Sequence, residues 1–170
     1  MRILFLILAS SIFSIYGFCD LSTNPKNWYP VTDNVMGGIS DLQVTHNNGV
    51  FLMQGTVSTK NNGGFVRFGQ DVSFKDNSIK GVRFMAKGNN ESYEIHVTLR
   101  GIKMPPWSYF SNSFAVREEW QEYEIYFSDF SREGYSARSM QPKNIRNLSF
   151  AGYGRDFPVD LAVKDISVIN

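Results

Sequence analysis

The 170-residue sequence has one cysteine, two histidines, no excess of either charge and no apolar run long enough to cross a bilayer. Each scarcity removes a class of function. Cys19 has no partner for an intramolecular disulfide, and its place at the edge of the N-terminal apolar segment removes it as a catalytic nucleophile. Lysine and arginine number 17 against 16 aspartates and glutamates, so the basic footprint of a nucleic-acid binder is missing. No polybasic run or amphipathic helical stripe offers a hold on an anionic membrane. A nucleophile elbow, a metal-binding histidine pair and a phosphate loop are missing too. Val35-Met36-Gly37-Gly38-Ile39-Ser40 has the glycines but neither a Gly-Lys-Ser ending nor a helical pattern after it. Asp33, Asp160 and Asp165 carry oxygens that suit calcium, without EF-hand spacing. The chain reads as non-enzymatic, with no cofactor or metal expected.

What is present begins with an address. Met1 and Arg2 precede an apolar run from Ile3 to Ala9 that continues to Ile15 before the small residue Gly17. Charge, short apolar core and small residue in that order make a secretory signal peptide over 1–19, well short of the ~20 residues a membrane span needs. Cleavage follows Gly17 or Cys19. The bulky Phe18 argues against lipid attachment at Cys19. The expectation is a secreted or periplasmic protein without a transmembrane anchor in its mature chain, folded as one domain over 20–170. Removing Arg2 with the leader leaves sixteen charges of each sign.

The rest of the sequence is rich in aromatics, 15% of residues, in short runs separated by Gly, Asn, Asp and Pro. These runs predict strands. Tyr93, Ile95, Val97 and Leu99 alternate with Glu94, His96, Thr98 and Arg100, which puts one face in the core and the other in water. Val82, Phe84 and Ala86 alternate with Arg83, Met85 and Lys87, and Tyr123, Ile125 and Phe127 with Glu122, Glu124 and Tyr126. Further strands are predicted over 50–57, 65–68, 108–116, 147–153 and 159–169. Turns fall at Asn47-Asn48-Gly49, Asn61 to Gly64, Lys87 to Asn90 and Lys103 to Pro106. The fold class is all-β, a two-sheet jelly-roll sandwich.

Two faces of such a sandwich invite attention. His96 shares the polar side of its strand with Glu94 and Arg100, where it either meets a ligand or belongs to an ordinary wet face with a charge pair. Trp107, Tyr109 and Phe110 after Pro105-Pro106 either form a platform for a sugar ring or are core aromatics. His46, beside a hairpin tip, reads as a solvated residue. Gly37 and Gly38 read as backbone devices where a side chain would collide, with Met36 plugging the end of the sandwich.

Trp28, Asp33 to Ser40 with its Met-Gly-Gly-Ile-Ser segment, Gly63-Gly64-Phe65, the strands at 81–87 and 93–100, Trp120 to Phe130 and the strand at 145–152 occur together in an order that resembles the complex I intermediate-associated protein 30 family. The resemblance spans nearly the whole mature chain. It implies a galactose-binding-like β-sandwich similar to some carbohydrate-binding modules, and no catalytic activity. It marks Trp28, Asp33, Met36, Gly37, Gly38, Ser40, Gly64 and Phe65 as the signature, without a chemical role for any of them. Mitochondrial relatives assist respiratory complex I assembly by binding its partly built membrane subunits. The leader here is not of the Arg-rich kind that directs mitochondrial import. The sequence therefore predicts an exported binding or assembly protein with a protein partner, a membrane-complex subunit among the candidates. The alternative is a carbohydrate-binding module that meets a glycan through His96, Arg100, Trp107 and Tyr109.

Overall fold

Among the described residues eleven strands make two antiparallel sheets, and the chain passes back and forth between them as a jelly roll. The computed structural model describes residues 21, 24–75, 77–101, 108–134 and 139–170. The leader, Cys19, the Lys103 to Pro106 turn and Trp107 lie outside them. The six-stranded sheet runs β1 (Tyr29–Thr32), β4 (Phe65–Asp71), β10 (Ile145–Tyr153), β6 (Ser92–Leu99), β7 (Tyr109–Ala115) and β9 (Ser131–Glu133). The five-stranded sheet runs β2 (Asp41–Asn47), β3 (Val50–Val57), β11 (Phe157–Ile169), β5 (Gly81–Gly88) and β8 (Gln121–Tyr126). Among the described residues no helix is long and apolar enough to cross a membrane.

Strand alternation explains how the sheets meet. On β6 the side chains of Tyr93, Ile95, Val97 and Leu99 are buried, and on β5 so are Val82, Phe84 and Ala86, as the period-2 pattern predicts. Phe68, Phe84 and Phe150 are completely buried and form one aromatic run between the sheets, with Phe84 edge-on to Phe150 at 5.0 Å. Trp28 closes one side of it, 5.1 Å from Phe51 and 5.4 Å from Phe68, so this signature residue is a core residue. Each large apolar side chain taken out of water contributes about 1.5–3 kcal/mol. The core therefore holds the sandwich together without a disulfide.

Tyr93 shows how the core keeps its polar atoms satisfied. Its hydroxyl donates to Asn89 Oδ1 at 2.8 Å and accepts the Asp160 amide at 2.9 Å, while burial pushes its pKa up to about 12. The β2–β3 hairpin turns on Asn48 (φ +48°) and Gly49 (φ +78°), the left-handed pair that a two-residue turn requires.

Three strands were not anticipated. β1 carries Pro30 at a sheet edge, where a missing amide is harmless. β2 has only Leu42 and Val44 half-buried amid polar residues, and β9 is three exposed residues. The predicted strand at 65–68 extends to Asp71, and the one at 159–169 starts at Phe157.

Candidate functional site

At one end of the sandwich, the loop after β1 is organised by a single carboxylate. Thr32 caps a short 3₁₀ turn, Asp33–Met36, through its hydroxyl and the Asn34 amide, and Gly37 (φ +90°) ends it in a conformation that disfavours side chains. The Asp33 side chain is completely buried. It accepts the Ser40 amide at 3.0 Å, the Ser40 hydroxyl, the Gly64 amide at 2.6 Å and the Phe65 amide at 3.2 Å. Burial alone would raise this carboxyl, but the hydrogen bonds from Ser40, Gly64 and Phe65 outweigh it and hold the group below the usual carboxylate range.

The glycines fit around that carboxylate. A Cβ on Gly38 would overlap Asp33 Cγ and Oδ1, and one on Gly63 would lie 2.5 Å from Oδ2. The Ser40 hydroxyl also accepts the Ser58 amide at 2.9 Å. Asp156 takes the Thr59 amide at 2.6 Å and hydroxyl at 2.7 Å, and the Gly154 amide reaches Gly64 O at 2.8 Å. The oxygens of Asp33, weighed above as calcium ligands, are thus occupied by the chain's own donors. Among the described residues no cluster of three or more His, Cys, Asp or Glu side chains is arranged to hold a metal.

Met36 does not plug the sandwich. It is 42% exposed and its neighbour Val35 is 74% exposed, because the 3₁₀ turn points both outward while Asp33 points in. These two side chains overhang a pocket of about 380 Å³ on the outer face of the six-stranded sheet, lined by Val31, Val35, Met36, Phe65, Arg67, His96, Tyr109 and Tyr153. Val31 comes from β1, Phe65 and Arg67 from β4, Tyr153 from the end of β10, His96 from β6 and Tyr109 from β7.

His96 stands on the outer face, as predicted, but it is not wet. Tyr109 stacks on its ring at 4.3 Å and Tyr153 meets it edge-on at 5.3 Å, leaving the imidazole 4% exposed with Nε2 2.6 Å from Glu94 Oε2. Tyr109 is held far above its ordinary pKa by burial and by its hydrogen bond with Tyr153, with a further push from the fields of Tyr153, Glu94 and Glu133. Arg67 is half-buried, and loss of solvation lowers its pKa. Its guanidinium lies 5.7 Å from the centre of the Phe65 ring.

Of the ligand face expected from sequence, His96 and Tyr109 come together in this pocket. Arg100 does not. It follows the last residue of β6, and its guanidinium donates to the Val72 carbonyl. Trp107 lies outside the described residues. His46 sits exposed on β2 against Phe51, at 4.6 Å, and is not part of the pocket. Val31, Val35 and Tyr153 went unnoticed as site residues because they converge from two strands and the turn after β1. Alternation could have placed Arg67 beside Phe65 on the outer face of β4.

The opposite face, over the five-stranded sheet, carries a larger and more open groove of about 770 Å³ around Trp120, whose ring is approached by Lys164 at 4.8 Å and Lys87 at 5.4 Å.

A family model described as Complex I intermediate-associated protein 30 matches residues 18–163. No curated protein matches the chain at a significant level. Among solved structures, the chain is similar to the family 11 carbohydrate-binding module of the cellulosomal cellulase Lic26A-Cel5E of Clostridium thermocellum, with 17% identity, TM-score 0.68, and 85% of this chain covering 88% of that one. It is similar to the family 11 module from Clostridium thermocellum in complex with a beta-1,3-1,4-mixed-linked tetrasaccharide, with 15% identity, TM-score 0.68, and 89% covering 94%. A family 30 carbohydrate-binding module matches at 15% identity and TM-score 0.52, with 76% covering 83%. At these identities the likeness shows a shared β-sandwich fold.

Proposed function

We propose, from the premise that the chain belongs to the complex I intermediate-associated protein 30 family, that it is a non-catalytic binding protein of the assembly-factor kind. It holds a segment of a partner protein in the pocket on the outer face of the six-stranded sheet. The observation that supports this is the makeup of the pocket rim. Val31, Val35, Met36 and Phe65 line it with side chains that have no polar atom, and Val35 and Met36 stand well out into solvent. This apolar side of the pocket receives an apolar side chain, and the polar groups of Tyr153, His96 and Tyr109 stand apart from it on β10, β6 and β7, with Arg67 beside Phe65 on β4. Exposed apolar residues grouped around a concavity mark interaction sites. Read as an export signal, the leader puts this encounter in the periplasm or outside the cell. A membrane-complex subunit as partner would then be met on its side away from the cytoplasm.

The double substitution Val35→Asp and Met36→Asp tests this, since both side chains lie outside the core. Capture from envelope extracts under mild cross-linking should recover a defined protein with the native chain and lose it with the variant. Equal recovery by both would remove the pocket rim from the interaction.

A second reading has its own support. The stacked His96 and Tyr109 with Tyr153 beside them, on a fold shared with carbohydrate-binding modules, suit a sugar ring. Glycan-array binding abolished by Tyr109→Ala would favour it over the protein partner.

A further inference from the structure

Arg67 is placed unlike Arg83 and Arg155. The side chain of Arg83, half-exposed, bonds Glu124 and lies 3.5 Å from Glu122, and the similarly exposed Arg155 bonds Glu91. Arg67, half-buried in the pocket, has no carboxylate partner among the described residues, and its guanidinium lies over the face of the Phe65 ring. The groups whose fields favour its charge are the hydroxyls of Tyr29 and Tyr109. Both are neutral at physiological pH: burial raises the pKa of each, the Asp71 bond raises Tyr29 further, and Tyr153 raises Tyr109 further.

Nor can Asp71 or Glu94 turn to it without losing partners of their own, and Glu133, on the same face, stands four strands away on β9. Asp71 on β4 accepts the Tyr29 hydroxyl at 2.9 Å and the Asn147 amide at 3.1 Å, while Glu94 on β6 is 2.6 Å from His96. A guanidinium has five donors and stays charged at any physiological pH. Pairing the solvated Arg83 and Arg155 while leaving the desolvated Arg67 without a carboxylate is the reverse of what stability alone favours. It is the arrangement a site needs when its counter-charge arrives with the ligand.

The neighbouring wall supplies the other half of the description. Val31, Val35, Met36 and Phe65 give an apolar surface in the same cavity of about 380 Å³ as the Arg67 side chain. Resting on the protein-partner reading given above, we propose that Arg67 docks a carboxylate of the bound segment, so that the pocket selects an apolar side chain with an anionic group next to it. A hydrophobic C-terminal residue and an acidic residue beside a hydrophobic one both have this chemistry.

The test compares N-acetyl-leucine with N-acetyl-leucinamide on the purified protein, reading chemical shifts of the Arg67 side-chain Nε–Hε and the Tyr153 amide. The same pair is titrated into Arg67→Gln, and methyl β-glucuronoside serves as a carboxylate without an apolar side chain. The acid is expected to bind on the order of tenfold more tightly than the amide, with the preference gone in Arg67→Gln. A peptide free at its C-terminus but not its amidated form would assign the carboxylate to a chain end, and an internal Leu-Asp peptide amide would assign it to a side chain. Equal binding of acid and amide, with shifts confined to the pocket, overturns the role of Arg67 while leaving the pocket as a binding site. Shifts from none of the ligands overturn the pocket reading and the inference together. Tighter binding of the glucuronoside than of N-acetyl-leucine overturns the peptide assignment in favour of an acidic glycan.

Discussion

Asp33 Oδ2 accepts the Gly64 amide at 2.6 Å across 31 residues of chain, which ties the loop after β1 to the loop before β4. The consequence reaches the outer face. Val35 and Met36 leave the 3₁₀ turn that Asp33 begins, and Phe65 follows the glycine that Asp33 holds; all three line the pocket. The signature positions Asp33, Gly37, Gly38, Ser40 and Gly64 are therefore the frame of the pocket, while Met36 and Phe65 supply part of its wall.

Replacing that carboxylate should destabilise the fold. Asp33→Asn keeps the shape but turns an NH₂ toward donors that now lack an acceptor, and a cost of about 2–4 kcal/mol is expected from urea denaturation at neutral pH. The sign with pH follows from the lowered pKa. The folded protein binds this proton less readily than the unfolded chain, so the stabilisation is complete above the unfolded value of about 3.9 and is lost as pH falls through the lower folded one. The gap between native and Asp33→Asn proteins should be constant from neutral pH down to about pH 5 and shrink in more acidic buffer.

Two adjacent glycines should respond differently to alanine. At Gly38 the new methyl would overlap the Asp33 carboxylate, whereas at Gly37 it would meet nothing within 4 Å and would strain only the φ +90° backbone. Gly37→Ala should lower stability by about 1 kcal/mol. Gly38→Ala should cost more, about 2–3 kcal/mol, and should also broaden the Val35 and Met36 methyl resonances as the turn loses its anchor. Equal costs would mean that Asp33 moves aside freely.

Removing the pocket's charge should not harm the fold. Arg67→Met deletes a desolvated cation with no carboxylate partner among the described residues and leaves an apolar side chain against Phe65. The free protein should gain about 0.5–1 kcal/mol, read as a higher midpoint in thermal denaturation. A large loss would show that Arg67 is a structural residue.

How far these features could be read from sequence depends on how local they are. The alternation in β5 and β6 is local, and it located the core faces because every second residue there is large and apolar. β2 and β9 gave no such signal, since their pairing is decided by neighbours far along the chain. Gly37 and Gly38 announced a backbone constraint, yet Met36 beside them was assigned to the interior because the direction of a 3₁₀ turn depends on where Asp33 anchors. His96 was placed on the correct face and wrongly left in water, because the rings that cover it, Tyr109 and Tyr153, belong to β7 and β10. The pocket itself draws on five strands and the loop after β1, and no stretch of sequence shows that convergence.

The most direct test of the account is site-specific photo-cross-linking, with benzoylphenylalanine placed at Tyr153 on the outer face of the six-stranded sheet or at Tyr126 on β8 of the other sheet. Both side chains are exposed, so neither replacement disturbs the core. A defined protein adduct is expected from position 153, competed by the native chain, and none from position 126. Adducts from position 126 alone would contradict that expectation and move the binding surface to the opposite face.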